Sequence, residues 1–204
     1  TAQQAEFLRC AVGERQNILI AGGTSTGKTT LANALLAEIA TTGDRVLVLE
    51  DTIELQCAAR DHVPLRTRAG VVSMSELVRA TMRLRPDRVV VGEVRGGEAL
   101  DLVKVWGTGH PGGIATIHAG SALGALLRLE QLILEVAVNP PRPLIAEAVN
   151  VVIHIAGRGR KRRIASIARV TGFDSTGYCL TDVLPIVPTS SDPTPSTDQT
   201  GEPL

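Results

Sequence analysis

Aromatic residues are nearly missing from this chain: one Trp, one Tyr and two Phe are spread over 204 residues. That scarcity argues against a surface that holds single strands by stacking bases on aromatic rings. It also means that Val, Ile, Leu and Ala must build the core, as they do in parallel sheets covered on both faces. Cysteine is equally sparse. Cys10, Cys57 and Cys179 stand alone, odd in number and without a C-x-x-C pair, so neither a zinc site nor a disulfide framework is indicated and a reducing compartment fits. No apolar run reaches the length of a membrane span, and no signal-peptide pattern opens the chain. Net charge is zero. The last 17 residues hold Asp192, Asp198 and Glu202 but no Lys or Arg, which leaves a positive excess of only three elsewhere. An excess that small does not imply nucleic acid.

What is present is an ordinary globular profile. At 44% hydrophobic and 21% charged residues, a chain of this length buries a real core as one domain. Its centre is Gly22-Gly23-Thr24-Ser25-Thr26-Gly27-Lys28-Thr29, which matches the phosphate-loop pattern G-x-x-x-x-G-K-[ST] at every fixed position. An apolar run at residues 17–21 reads as a buried strand before it, and residues 30–39 read as a helix after it. Glycines let the backbone approach phosphates closely, successive amides form an anion nest, and the helix adds the positive end of its dipole. Lys28 is placed to reach the β- and γ-phosphates, and the Thr29 hydroxyl to ligate magnesium. Thr30, the next residue, is grouped with the loop as nucleotide-binding. The bland reading is a glycine-rich strand–turn–helix that binds nothing; the flanking elements favour a nucleotide.

Three more buried strands are expected to end in residues that carry chemistry. Residues 45–49 lead into Glu50-Asp51-Thr52-Ile53-Glu54-Leu55. Ligands gather at the carboxyl ends of strands in open parallel sheets, which puts Glu50, Asp51 and Glu54 near the nucleotide, although a solvated turn explains them equally well. Residues 88–93 end in Glu93, placed to orient or deprotonate an attacking water. Residues 114–119 follow the glycine-dense loop 107–113 and end at His118, which could donate a hydrogen bond to a γ-phosphate or serve only as a structural partner.

Helices are expected at 2–13 (ended by Gly13), from a Ser73–Glu76 cap to about Leu84, from Glu98, at 121–137 before Asn139-Pro140-Pro141, and at 143–148. Residues 56–72 read as a strand–turn or loop excursion. Strands at 149–156 and 164–171 flank a basic tip, residues 157–163, that reads as a hairpin. Such a tip can bind phosphates or anionic lipid, but it is more commonly a solvated, charge-guarded edge. A last strand spans 178–184. From Pro188 the residues have almost nothing to bury, so a disordered tail at 188–204 is expected after a domain at 1–187. The first residue is Thr, and a longer native protein that has lost its start is expected.

Four elements occur in an order that carries a resemblance. They are the phosphate loop, residues 49–55 (LEDTIEL), Gly92-Glu93-Val94-Arg95, and residues 109–119 (GHPGGIATIHA). They resemble the Walker A, Asp, Walker B and His boxes of the type II/type IV secretion ATPases, and among these the TrbB-like conjugal-transfer ATPases. The resemblance covers roughly residues 1–185. It implies an α/β fold, a RecA-like P-loop NTPase domain whose mostly parallel central sheet is flanked by helices, with antiparallel strands at the C-terminal end. It further implies ATP and Mg2+ as ligands and a homohexameric motor at the cytoplasmic face of the inner membrane. That motor would act with the membrane components of a conjugation or secretion machine, with peripheral membrane association.

By the same resemblance Lys28 and Thr29 bind phosphate and magnesium. Glu93 is the foremost water-activating acid and Glu50 the second candidate, both also near the metal. His118 reads the γ-phosphate, and Arg95 and His110 support the site. Such ATPases usually carry an N-terminal domain that closes over the nucleotide and supplies arginines, and the expectation is that this domain is missing here. The four-cysteine zinc insertion of many type II ATPases is missing too, which favours the conjugal branch. Competing readings are a type IV pilus assembly or retraction ATPase, a RecA-type nucleic-acid-binding module (opposed by the low aromatic content and charge), and a subunit gated by ATP that it does not hydrolyse.

Overall fold

The computed structural model describes residues 1–183. In chain order the strands are β1 (Ile18–Gly22), β2 (Val46–Glu50), β3 (His62–Arg66), β4 (Arg88–Val94), β5 (Ile114–Ile117), β6 (Val151–Ala156), β7 (Arg163–Asp174) and β8 (Gly177–Asp182). The helices are α1 (Ala2–Gly13), α2 (Lys28–Ile39), α3 (Met74–Thr81), α4 (Glu98–Gly107), α5 (Ala122–Ile133) and α6 (Arg142–Ala148). The strands join in one sheet ordered β3-β2-β4-β5-β1-β6-β7-β8. Pairings from β3 through β6 are parallel, and β7 and β8 add on antiparallel.

The apolar runs make this sheet because side chains alternate between its faces and both faces are covered. Leu19, Leu47, Leu49, Val89, Val91 and Ala115 pack with α3, α4, α5 and α6. Their neighbours Ile18, Ile20, Val46, Val48, Val90 and Ile114 pack with α1 and α2. Buried Asn17 locks the start of β1 in place. Its Nδ2 donates to Ala148 O at 2.7 Å and its Oδ1 accepts from Gly113 N at 2.9 Å.

Several expected elements shift. Residues 56–72 contribute a strand, β3, which pairs with β2 at the sheet edge. Its alternating half-exposure and Pro64 disguise it, and an edge is where a strand tolerates proline. Helix α1 runs through Gly13, and Arg15 rather than the glycine takes the left-handed conformation, φ 56°. Helix α5 stops at Ile133, short of the expected residue 137, and the amides of residues 134–137 close turns onto the last carbonyls of the helix. The Ser73–Glu76 capping box is present. The tail expected at 188–204 and the end of the last expected strand lie outside the described residues. Among the described residues no helix is long and apolar enough to cross a membrane.

Candidate active site

Parallel pairing decides which strand ends meet. Ala21 is level with Ile117, and Leu49 with Val91, so Gly22, Glu50, Glu93 and His118 leave the sheet at the same edge. There they border a cavity of about 450 Å³ lined by residues 24–30, Glu50, Asp51, Thr52, Glu54, Leu55, Gly92, Glu93, Arg95, Thr116, His118 and Arg162. Thr24, Ser25, Thr26, Gly27, Lys28, Thr29 and Thr30 form its floor.

The loop's glycines are where its shape demands them. A side-chain carbon on Gly22 would sit 2.9 Å from Ile155 O and 2.5 Å from Thr26 Oγ1. Gly27 begins α2 at φ 98°, and Ser25 shares the left-handed region at 61°; this alternation of backbone handedness makes an anion nest. Buried Lys28 folds back so that Nζ donates to Gly22 O at 3.0 Å and Gly23 O at 3.1 Å. Burial lowers its pKa from the ordinary lysine value, opposed by the charge of Glu93. A desolvated ammonium with only neutral carbonyl partners is well prepared to take phosphate oxygens.

The acidic side of the cavity is tightly organised. Glu50 is buried, and its Oε1 accepts from the amides of Glu54 (2.9 Å) and Leu55 (2.8 Å). A side chain at Gly92 would come within 3.1 Å of Glu50 Cγ; the glycine leaves Glu50 its space. Glu54 in turn accepts from the Thr29 hydroxyl at 3.0 Å. Glu93 Oε2 accepts from Arg95 Nε at 2.6 Å, and Arg95 also lies 3.8 Å from Asp51. The Glu93 contact raises the Arg95 pKa. His118 Nε2 is 2.8 Å from Glu93 Oε1, yet no aligned donor reaches that buried oxygen. Thr116 donates to Gly92 O at 2.6 Å and steadies the end of β4.

Among the described residues no cluster of three or more His, Cys, Asp or Glu forms a metal cage. Magnesium does not need one: it is usually held by phosphates, water and one or two protein oxygens. Thr29, Glu50, Glu54 and Glu93 at one cavity fit that donor set.

His110 does not join this group, which corrects the expectation that it supports the site. It precedes β5, whereas His118 follows it, and β5 is parallel to β1. His110 therefore lies toward the sheet edge opposite the phosphate loop. Sequence reading also missed three contributors. Glu98 Oε1 accepts from the amides of Arg95 and Gly96 at 2.7 and 2.9 Å; its place at a helix start three residues past Arg95 was the available signal. Thr116 carried none. Arg162, on the basic tip for which phosphate binding was the less common of two readings, lines the cavity.

The fold and the loop define a RecA-like phosphate-loop NTPase domain. The chain matches the family described as T2SSE, type II/IV secretion system protein, over residues 1–166, and it belongs to that family. It is 49% identical to the conjugal transfer protein TrbB of Rhizobium radiobacter over 180 residues, 87% of this chain and 55% of that protein. The VirB11 ATPase of the Brucella suis type IV secretion system, solved in complex with sulphate, superposes with a TM-score of 0.76 at 34% identity, over 82% of this chain and 52% of that one. The ADP-bound pilus retraction motor PilT shares the fold, with a TM-score of 0.63 at 22% identity over 91% of this chain and 51% of that one. The chain thus spans about half the length of these relatives.

Proposed function

We propose that this chain is the ATP-hydrolysing domain of a motor that powers assembly of, or transport through, a conjugation or type IV secretion apparatus. The motor is a homohexameric ring at the cytoplasmic face of the inner membrane, beside the membrane components of that machine. The observation that carries this reading is the meeting of the phosphate loop, Glu50, Glu93 and His118 around one cavity of about 450 Å³. The 49% identity to a conjugal transfer protein supports the conjugal branch.

In this mechanism the phosphates of ATP lie along residues 22–30. Lys28 exchanges the carbonyls of Gly22 and Gly23 for β- and γ-phosphate oxygens. Thr29, Glu50 and Glu93 would hold magnesium, which would neutralise charge on the transferring phosphoryl group. Glu93 takes a proton from the attacking water as its oxygen bonds to the γ-phosphorus and the bond to the β-phosphate oxygen breaks. What favours Glu93 over Glu50 as the base is that side chains, Arg95 and His118, hold its carboxylate, whereas Glu50 is buried and fixed by two backbone amides. Arg95 orients Glu93 through its hydrogen bond to Oε2. His118 donates to the γ-phosphate and, being in reach of Glu93, registers its loss.

Glu93→Gln should leave ATP affinity intact and lower turnover by at least about 10²-fold. Phosphate release at the wild-type rate removes Glu93 from the mechanism. The ring is tested by light scattering with and without ATP–Mg2+. A six-fold mass supports it, and a monomer under both conditions contradicts it for this chain.

A further inference from the structure

The hairpin between β6 and β7 has its tip at residues 157–162, closed by a single 3₁₀ turn at Gly159–Lys161. Its sequence is a run of basic residues. Of its four cations, Arg158, Arg160, Lys161 and Arg162, the topology singles out Arg162. Strand β6 is hydrogen-bonded to β1, with Gly22 level with Ile155, so the hairpin begins where the phosphate loop begins. Arg162 lines the nucleotide cavity, and a side-chain carbon on Gly27 would lie 3.5 Å from its Cδ and 3.7 Å from a guanidinium nitrogen. Arg95, the other arginine of the cavity, is bound to Glu93 and close to Asp51. Arg162 makes no ion pair among the described residues. A guanidinium with no carboxylate partner, held over a phosphate loop, matches phosphate oxygens in charge and geometry.

Its direction of approach says which phosphates. In the sheet, β4 and β5 lie on one side of β1 and β6 on the other. Glu93 and His118 come from the first side, where the γ-phosphate reacts. Arg162 comes from the second, beside Gly27, where loop amides cradle the α- and β-phosphates. We infer that Arg162 is a phosphate-binding residue supplied by the same chain, engaging the diphosphate common to ATP and ADP rather than the γ-phosphate. The inference rests on the nucleotide reading of the cavity.

It makes the basic hairpin part of the nucleotide site. Its contact is uniform: it holds substrate, transition state and product alike, so its loss falls on KM and not on kcat. It also distinguishes Arg162 from His118, whose partner is present only in ATP.

The test is calorimetric titration of this chain with ADP, a non-hydrolysable ATP analogue and inorganic pyrophosphate, each with Mg2+. Arg162→Ala should weaken all three by the same factor, roughly tenfold for a charged hydrogen bond. Arg162→Lys should recover part of the loss, and Arg160→Ala on the same tip should change nothing. Thermal unfolding without nucleotide should be unaltered, since Arg162 is exposed. Unchanged ADP affinity in Arg162→Ala overturns the inference. So does a loss confined to the ATP analogue, which would place Arg162 at the γ-phosphate, or a loss for ADP without one for pyrophosphate, which would place it at the base or ribose. If the wild-type chain binds no nucleotide, the reading of the cavity fails first and this inference with it.

Discussion

At Arg88 the chain buries a guanidinium to 1% exposure. It is tolerated because every direction is answered: Nε donates to Asp44 at 2.6 Å, and the terminal nitrogens donate to Val12 O at 3.0 Å and Gly112 O at 3.3 Å. Burial works to raise the Asp44 pKa, but hydrogen bonds from Arg88 and Thr42 and the charges of Arg88 and Arg15 outweigh it and hold Asp44 below the ordinary carboxylate value. Asp44→Asn leaves the buried Arg88 charge uncompensated and should cost about 3 kcal/mol in urea unfolding. Because the folded pKa is depressed, the Asp44 contribution is complete above the ordinary carboxylate pKa of about 3.9 and is lost as pH falls below it toward the folded value. Wild-type stability should therefore drop more steeply below about pH 4 than that of the variant; equal acid slopes would show that Asp44 carries no such linkage. None of this was legible, since Arg88 and Asp44 are 44 residues apart and nothing local marks either. Lys28 and Thr29 were legible because phosphate chemistry fixes their types at short spacing, and Glu93 because it ends a Val-rich strand. Arg162 was not, because a basic tip in sequence carries no sign of which loop it overhangs.

Among elements, the strands declared themselves through continuous apolar runs, the mark of sheets buried on both faces. Strand β3 did not, because an edge strand with Pro64 and alternate exposure has neither a continuous run nor a clean period. The hairpin of β6 and β7 was readable as a pair. Its function depended on β6 lying beside β1, a neighbour 133 residues away for Asn17 and Asn150 at the strand starts. The same reasoning explains His110 and His118. They bracket one strand in sequence and were both expected to serve the site, but a parallel strand between them sends them to opposite sheet edges.

For the molecule as a whole, one sheet gathers everything the proposed chemistry needs at a single edge, and the antiparallel addition of β7 and β8 closes the flank next to the phosphate loop. The chain spans about half the length of the relatives it matches, yet loop, carboxylates and His118 sit in one body, so the chemistry can be tested on this chain. The most direct measurement is to incubate it with one equivalent of ATP and Mg2+, quench, and identify the nucleotide that remains bound. The expected result is ADP with an equivalent of phosphate released. Intact ATP recovered at full occupancy would contradict it and make the domain a nucleotide-gated subunit rather than an engine.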